Sequence, residues 1–138
     1  PFGHIAYGQG IASYINDLDG RNLDLVPDAD TPGRLKAPEA CAWTIGTYLY
    51  FSPRAYMTAG YSRAQVSHTA ATADSGTPSA AAAYRNGQYI YANAYYEVDD
   101  NFRLGIEYIH GSRANFATAD GTHTGHANRL SALLRYSF

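Results

Sequence analysis

The C-terminal stretch Asn128-Arg129-Leu130-Ser131-Ala132-Leu133-Leu134-Arg135-Tyr136-Ser137-Phe138 decides the fold. Taken at every second residue back from Phe138 it gives Tyr136, Leu134, Ala132 and Leu130; the residues between are Ser137, Arg135, Leu133, Ser131 and Arg129. A period of two sends successive side chains to opposite faces of a strand, whereas a helix would scatter both sets around its axis. One face is therefore wholly apolar and ends in two aromatics, while the other carries two arginines. A membrane-spanning barrel requires that division, with lipid outside and water within. A soluble sheet also tolerates it, so the segments upstream must choose.

The preceding segment, Phe102 to Arg113, sets Phe102, Leu104, Ile106 and Tyr108 against Arg103, Gly105, Glu107, Ile109 and Arg113. Before it, Tyr84 to Val98 sets Ile90, Ala92, Ala94, Tyr96 and Val98 against Tyr89, Tyr91, Asn93, Tyr95 and Glu97. Cys41 to Phe51 and a run from Arg54 to about His68 alternate in the same way and are separated by Ser52-Pro53, the spacing of a tight hairpin. His4 to Ile15 is a further strand candidate, interrupted by Gly8 and Gly10, which weaken a strand and mark bends. The expected architecture is all-β: an antiparallel up-and-down meander of six strands, at about 4–15, 41–51, 54–68, 84–98, 102–113 and 127–138, in one partial β-barrel domain over 1–138.

The connections alternate in length. Asn16–Ala40 is long and rich in Asp, Pro and Gly; Ser52-Pro53 is short; Thr69–Ala83 is long; Asp99–Asn101 is short; Asn115–Ala127 is medium. Both short turns and the C-terminus thus fall at one end, matching barrels with short periplasmic turns and longer external loops. Phe51, Tyr50, Tyr56, Tyr95, Tyr96, Phe102, Tyr136 and Phe138 lie beside that end, as an interfacial girdle requires. Phe51, Tyr96, Phe102, Tyr136 and Phe138 are its candidate members.

Composition agrees. The 138 residues make one domain, with thirteen tyrosines against five phenylalanines, and no apolar run approaches the roughly 18 residues of a spanning helix. A net charge of −2 gives no basic field for nucleic acid. Cys41 is the lone cysteine, so no internal disulfide forms and no cofactor is indicated. The chain starts at Pro1 without a leader, which reads as a removed signal or a missing upstream part.

The face opposite the apolar one carries the candidate pore-lining residues Arg54, Glu97, Arg103, Glu107, Arg113, Arg129 and Arg135, five cations against two anions. Guanidinium groups stay charged and pair bidentately with carboxylates, so such a wall draws anions; the plainer reading is that arginines neutralise Glu97 and Glu107 or solvate a polar surface. His123 and His126 beside Asp120 have metal-ligand character, but in a loop that fixes no geometry. His110, Ser112 and Asp120 hold the residue types of hydrolysis, yet His110 and Ser112 share the lipid-side parity. The aspartates from Asp17 to Asp30 miss the calcium-loop spacing. The expectation is a non-enzyme without a metal site.

These residues resemble a family. Asn93-Ala-Tyr-Tyr-Glu-Val-Asp-Asp-Asn-Phe-Arg-Leu-Gly-Ile-Glu-Tyr-Ile-His-Gly-Ser-Arg113, with Ala127-Asn128-Arg129-Leu130 and Arg135-Tyr136-Ser137-Phe138, resembles the C-terminal end of the DcaP-like outer-membrane porins; Gly8-Gln9-Gly10-Ile11 and Tyr14-Ile15-Asn16-Asp17-Leu18 look like an upstream strand and loop of that family. The resemblance implies a sixteen-stranded homotrimeric porin of the Gram-negative outer membrane that passes small anionic, dicarboxylate-like solutes. Its partners are then outer-membrane lipid, those solutes and the barrel-assembly machinery, which engages a terminal strand ending in Phe138. Six strands cannot enclose an interior, so the chain is expected to be the C-terminal portion of a longer porin. Two alternatives stand beside it: the membrane translocator or anchor β-domain of an autotransporter or adhesin, and a soluble β-barrel binding protein.

Overall fold

The computed structural model describes residues 1–28, 31–67, 84–116 and 124–138. The principal strands are β1 (Phe2–Gln9), β4 (Glu39–Ser52), β5 (Ala55–Val66), β6 (Tyr84–Glu97), β7 (Phe102–Asn115) and β8 (Thr124–Tyr136). They form one six-stranded sheet in the order β1-β4-β5-β6-β7-β8, and every neighbouring pair is antiparallel. This is the expected meander. Two very short strands, β2 (Val26–Pro27) and β3 (Leu35–Lys36), pair with each other inside the long first connection. The sheet is open: among the described residues β1 and β8 are each paired along one edge.

Both short turns are closed by side chains that accept backbone hydrogen bonds, which is how Ser and Asp initiate tight turns. Ser52 Oγ accepts from the amides of Arg54 and Ala55 at 3.2 and 3.0 Å. Asp99 Oδ1 accepts from Asn101 and Phe102 at 2.8 and 2.9 Å.

The expected first strand, 4–15, is corrected at its end. Strand β1 stops at Gln9, because Gly10 adopts φ +65 and its Cβ, had it one, would lie 3.2 Å from the Asp24 carbonyl oxygen. A 3-10 turn (Ala12–Tyr14) follows in place of extended chain. The stretch 10–24 then folds back onto the sheet. Ala12, Ile15 and Leu18 bury against Ala40, Ala64, Val66 and Tyr84, the largest buried cluster among the described residues. The neck is held by Gly10 N donating to Pro38 O at 3.1 Å, and the interior by Ser13 N donating to Asp24 Oδ1 at 3.0 Å.

Register divides every strand between two faces. Following partners from β8 to β4, Leu130 lies level with Tyr108, Ala92, Ala59 and Thr47, all on one face. That outer face is apolar from Phe138 to Leu130 on β8 and turns polar at Asn128. At about 3.4 Å per residue and a tilt of about 40°, this stretch spans about 21 Å, close to the roughly 25 Å apolar band of membrane barrels. The upper edge of the band is slanted. It runs through Leu130 and Tyr108, then Ile90 and Tyr61, then Trp43, which is four residues above Thr47. A climb of about 14 Å over four strand spacings of about 4.8 Å corresponds to a tilt of about 35°, inside the range for transmembrane strands. A membrane plane cutting tilted strands leaves this diagonal edge. In a sandwich the apolar face would instead meet a second sheet.

Candidate functional site

The inner face is built from the alternate residues. Arg103 lies across from Arg135, Glu107 from Ser131, Ile109 from Arg129 and Glu97 from Arg103. Six of the seven expected pore-lining residues, Glu97, Arg103, Glu107, Arg113, Arg129 and Arg135, therefore share one face of β6, β7 and β8. Arg54 is placed elsewhere: it sits in the turn between β4 and β5, where its Nη1 donates to the Val98 carbonyl at 3.2 Å. It belongs to the rim.

The two glutamates are spoken for. Arg103 pairs with Glu97 at 2.5 Å and Arg129 with Glu107 at 2.7 Å. Arg113 Nε donates to Asn115 at 2.9 Å, and its guanidinium lies 5.3 Å from the Tyr84 ring centroid. Arg103 and Arg135 face each other as like charges across the ladder, and the Glu97 carboxylate paired with Arg103 offsets the repulsion. On the strands the inner face thus carries four cations and two anions, all on the three C-terminal strands.

The aromatics are split by the same register. Tyr96, Phe102 and Tyr136 lie on the apolar face, Phe138 follows Tyr136 with ring centroids 6.4 Å apart, and Phe51 is exposed where the β4–β5 register shifts. Tyr50, Tyr56 and Tyr95, counted with the girdle by position alone, are corrected: they line up on the inner face, with centroids 5.8 and 5.1 Å apart. Arg103 completes this row, 5.9 Å from the Tyr56 centroid.

A third component was not expected from the sequence. The folded-back stretch 10–24 covers the inner face at the long-loop end and presents Asp17 to β6. Tyr89 Oη donates to Asp17 Oδ1 at 2.5 Å, and Tyr84 Oη donates to the other carboxylate oxygen. Arg21 Nε donates back to the Asp17 carbonyl at 2.9 Å while its guanidinium rests 5.1 Å from the Tyr84 centroid. The room for Tyr89 comes from Gly111 beside it, where a Cβ would stand 2.9 Å from the ring. A cleft of about 640 Å³ runs between this stretch and the wall, with His4, Tyr14, Asp17, Tyr89 and Arg129 among its lining residues. The sequence signal was the apolar set Ala12, Ile15 and Leu18 inside an otherwise acidic loop.

His110 and Ser112 face outward, as their parity requires. His110 Nδ1 lies 2.8 Å from Asn128 Oδ1, and Ser112 Oγ accepts from Gln88 at 3.0 Å. Asp120 and His123 lie outside the described residues, and His126 on β8 lies across from Ser112 on β7.

An apolar, tilted outer face, short turns at one end and a charged inner face define a stretch of transmembrane β-barrel wall. Among solved structures the chain is similar to the outer membrane channel DcaP of Acinetobacter baumannii, with a TM-score of 0.66 and 24% identity over 83% of this chain. The chain spans 31% of that channel's length. The likeness is one of fold. No family model and no curated protein matches the sequence.

Proposed function

We propose that this chain forms part of the wall of an outer-membrane diffusion channel for small anionic solutes, dicarboxylates being the fitting class. The observation that carries the reading is the inner face of β6–β8, where Arg103, Arg113, Arg129 and Arg135 outnumber Glu97 and Glu107 directly behind an apolar outer band. Arg113, Arg129 and Arg135 follow one another along the wall from the long-loop end, and their charge excess over the two glutamates draws carboxylates along the passage. Transport is then downhill and needs no cofactor or catalysis. The stretch 10–24, held at Asp17, narrows the passage at the external end. Closing the barrel takes further strands along the β1 and β8 edges, since membrane barrels begin at about eight strands.

The test is the reversal potential of the mature protein, purified from membranes and held in a planar bilayer under a salt gradient. Wild type should favour anions, and Arg113→Gln with Arg129→Gln should move the potential toward cations. Cation preference in the wild type, or no movement in the double variant, removes these arginines from the conduction path.

A further inference from the structure

Two arginines of the sheet do not serve the inner face. Arg63 on β5 lies between Trp43 and Gln88 on the outer face, one residue pair beyond Tyr61, where the apolar band ends. Arg85 is the extra residue at the β6–β7 register shift between Tyr84 and Asn86, and is exposed. Both line a cleft of about 370 Å³ with Tyr7, Gln65 and Asn86. Among the described residues Glu39 is its one acid, occupied by a hydrogen bond from Gln9 Nε2 at 3.3 Å. Arg63 Nε is shielded from solvent and has no hydrogen-bond partner among the described residues. Beside Arg63 on the ladder, Trp43 packs on Tyr61 at 5.1 Å between ring centroids, the aromatic pairing of a membrane–water boundary.

We infer that the Arg63–Arg85 cleft binds the phosphate of a lipid headgroup in the external leaflet, a phosphorylated glycolipid whose acyl chains lie on the band formed by Trp43, Tyr61, Ile45 and Ile90. A guanidinium matches phosphate with paired donors, and a second cation alongside meets its remaining charge. Gln65 and Asn86 provide amides suited to sugar hydroxyls. By register Arg63, Gln65 and Asn86 lie on the outer face, opposite the residues of the passage. Membrane anchoring of the strand-end region is therefore separate from conduction. The inference rests on the membrane placement proposed above and is independent of which solute passes.

The experiment uses the mature protein reconstituted in vesicles containing bisphosphorylated lipid A, then transferred to detergent and weighed by native mass spectrometry. Flotation with the vesicles is measured first. The expected result is retention of the bisphosphorylated lipid at least tenfold above its dephosphorylated form, lost in Arg63→Gln/Arg85→Gln, reduced severalfold in Arg85→Gln alone, and unaffected by Arg113→Gln on the inner face. Displacement by millimolar inorganic phosphate, equal retention of the dephosphorylated lipid, or full retention by the double variant overturns the lipid site. Failure of the wild type to float overturns the membrane placement as well.

Discussion

Tyr89 on β6 donates a 2.5 Å hydrogen bond to Asp17, a residue in the first long connection and 72 positions away in sequence. This contact, with its companion from Tyr84, turns a surface connection into part of the inner face. Hydrogen bonds to a charged acceptor contribute about 1.5–3 kcal/mol. Asp17→Asn with Tyr89→Phe is expected to release the stretch 10–24, raising single-channel conductance and speeding tryptic cleavage after Arg21. Unchanged conductance and cleavage would mean that the stretch is held by its apolar side alone.

That apolar side has its own test. Leu18 is 1% exposed, beneath the segment it anchors. Removing a buried leucine side chain costs about 2–5 kcal/mol. Leu18→Ala should free the stretch locally, with hydrogen exchange rising across 10–24, while β7 and β8 keep their protection. Uniform loss of protection would show instead that the stretch holds the whole sheet.

Gly111 makes the link between wall and stretch. A Cβ there meets the Tyr89 ring at 2.9 Å, and the nearest β-branched substitute adds two further methyl groups. Gly111→Val is expected to displace Tyr89 and weaken the Asp17 contact, at a cost of about 1–3 kcal/mol. The variant should raise conductance in the same direction as Asp17→Asn with Tyr89→Phe. A wild-type conductance would show that the ring moves without loss of the bond.

The ion pair Arg129–Glu107 gives a prediction with a sign on each side. Glu107→Gln uncovers a cation and should increase anion preference. Arg129→Gln uncovers an anion and should decrease it. Shifts of the same direction in both would mean that neither charge faces permeant ions.

The strands were legible because their faces differ by one residue and the register simply transmits that difference. Ser131 and Ala132 are neighbours in sequence and opposites in environment, and no distant contact is needed to see it. The folded-back stretch was not legible. Ala12, Ile15 and Leu18 have partners in Ala64, Val66 and Tyr84, contributed by strands far along the chain, and no local period announces the match. The tyrosines near the short turns show a different limit: nearness to the membrane boundary along the strand is set by position, but the side is set by parity. Tyr95 and Tyr96 share the first property and differ in the second. Arg54 had the right parity and the wrong place, since the chain is already turning there.

The central claim is that alternate residues of the last strand face lipid and water, and thiol accessibility in vesicles reads it directly. Single cysteines are introduced from Leu130 to Arg135 in a Cys41→Ser background of the mature protein and exposed to a membrane-impermeant thiol reagent. Ser131, Leu133 and Arg135 positions should react, and Leu130, Ala132 and Leu134 positions should not. Equal reactivity along the strand, or reaction on the apolar set, would contradict the account.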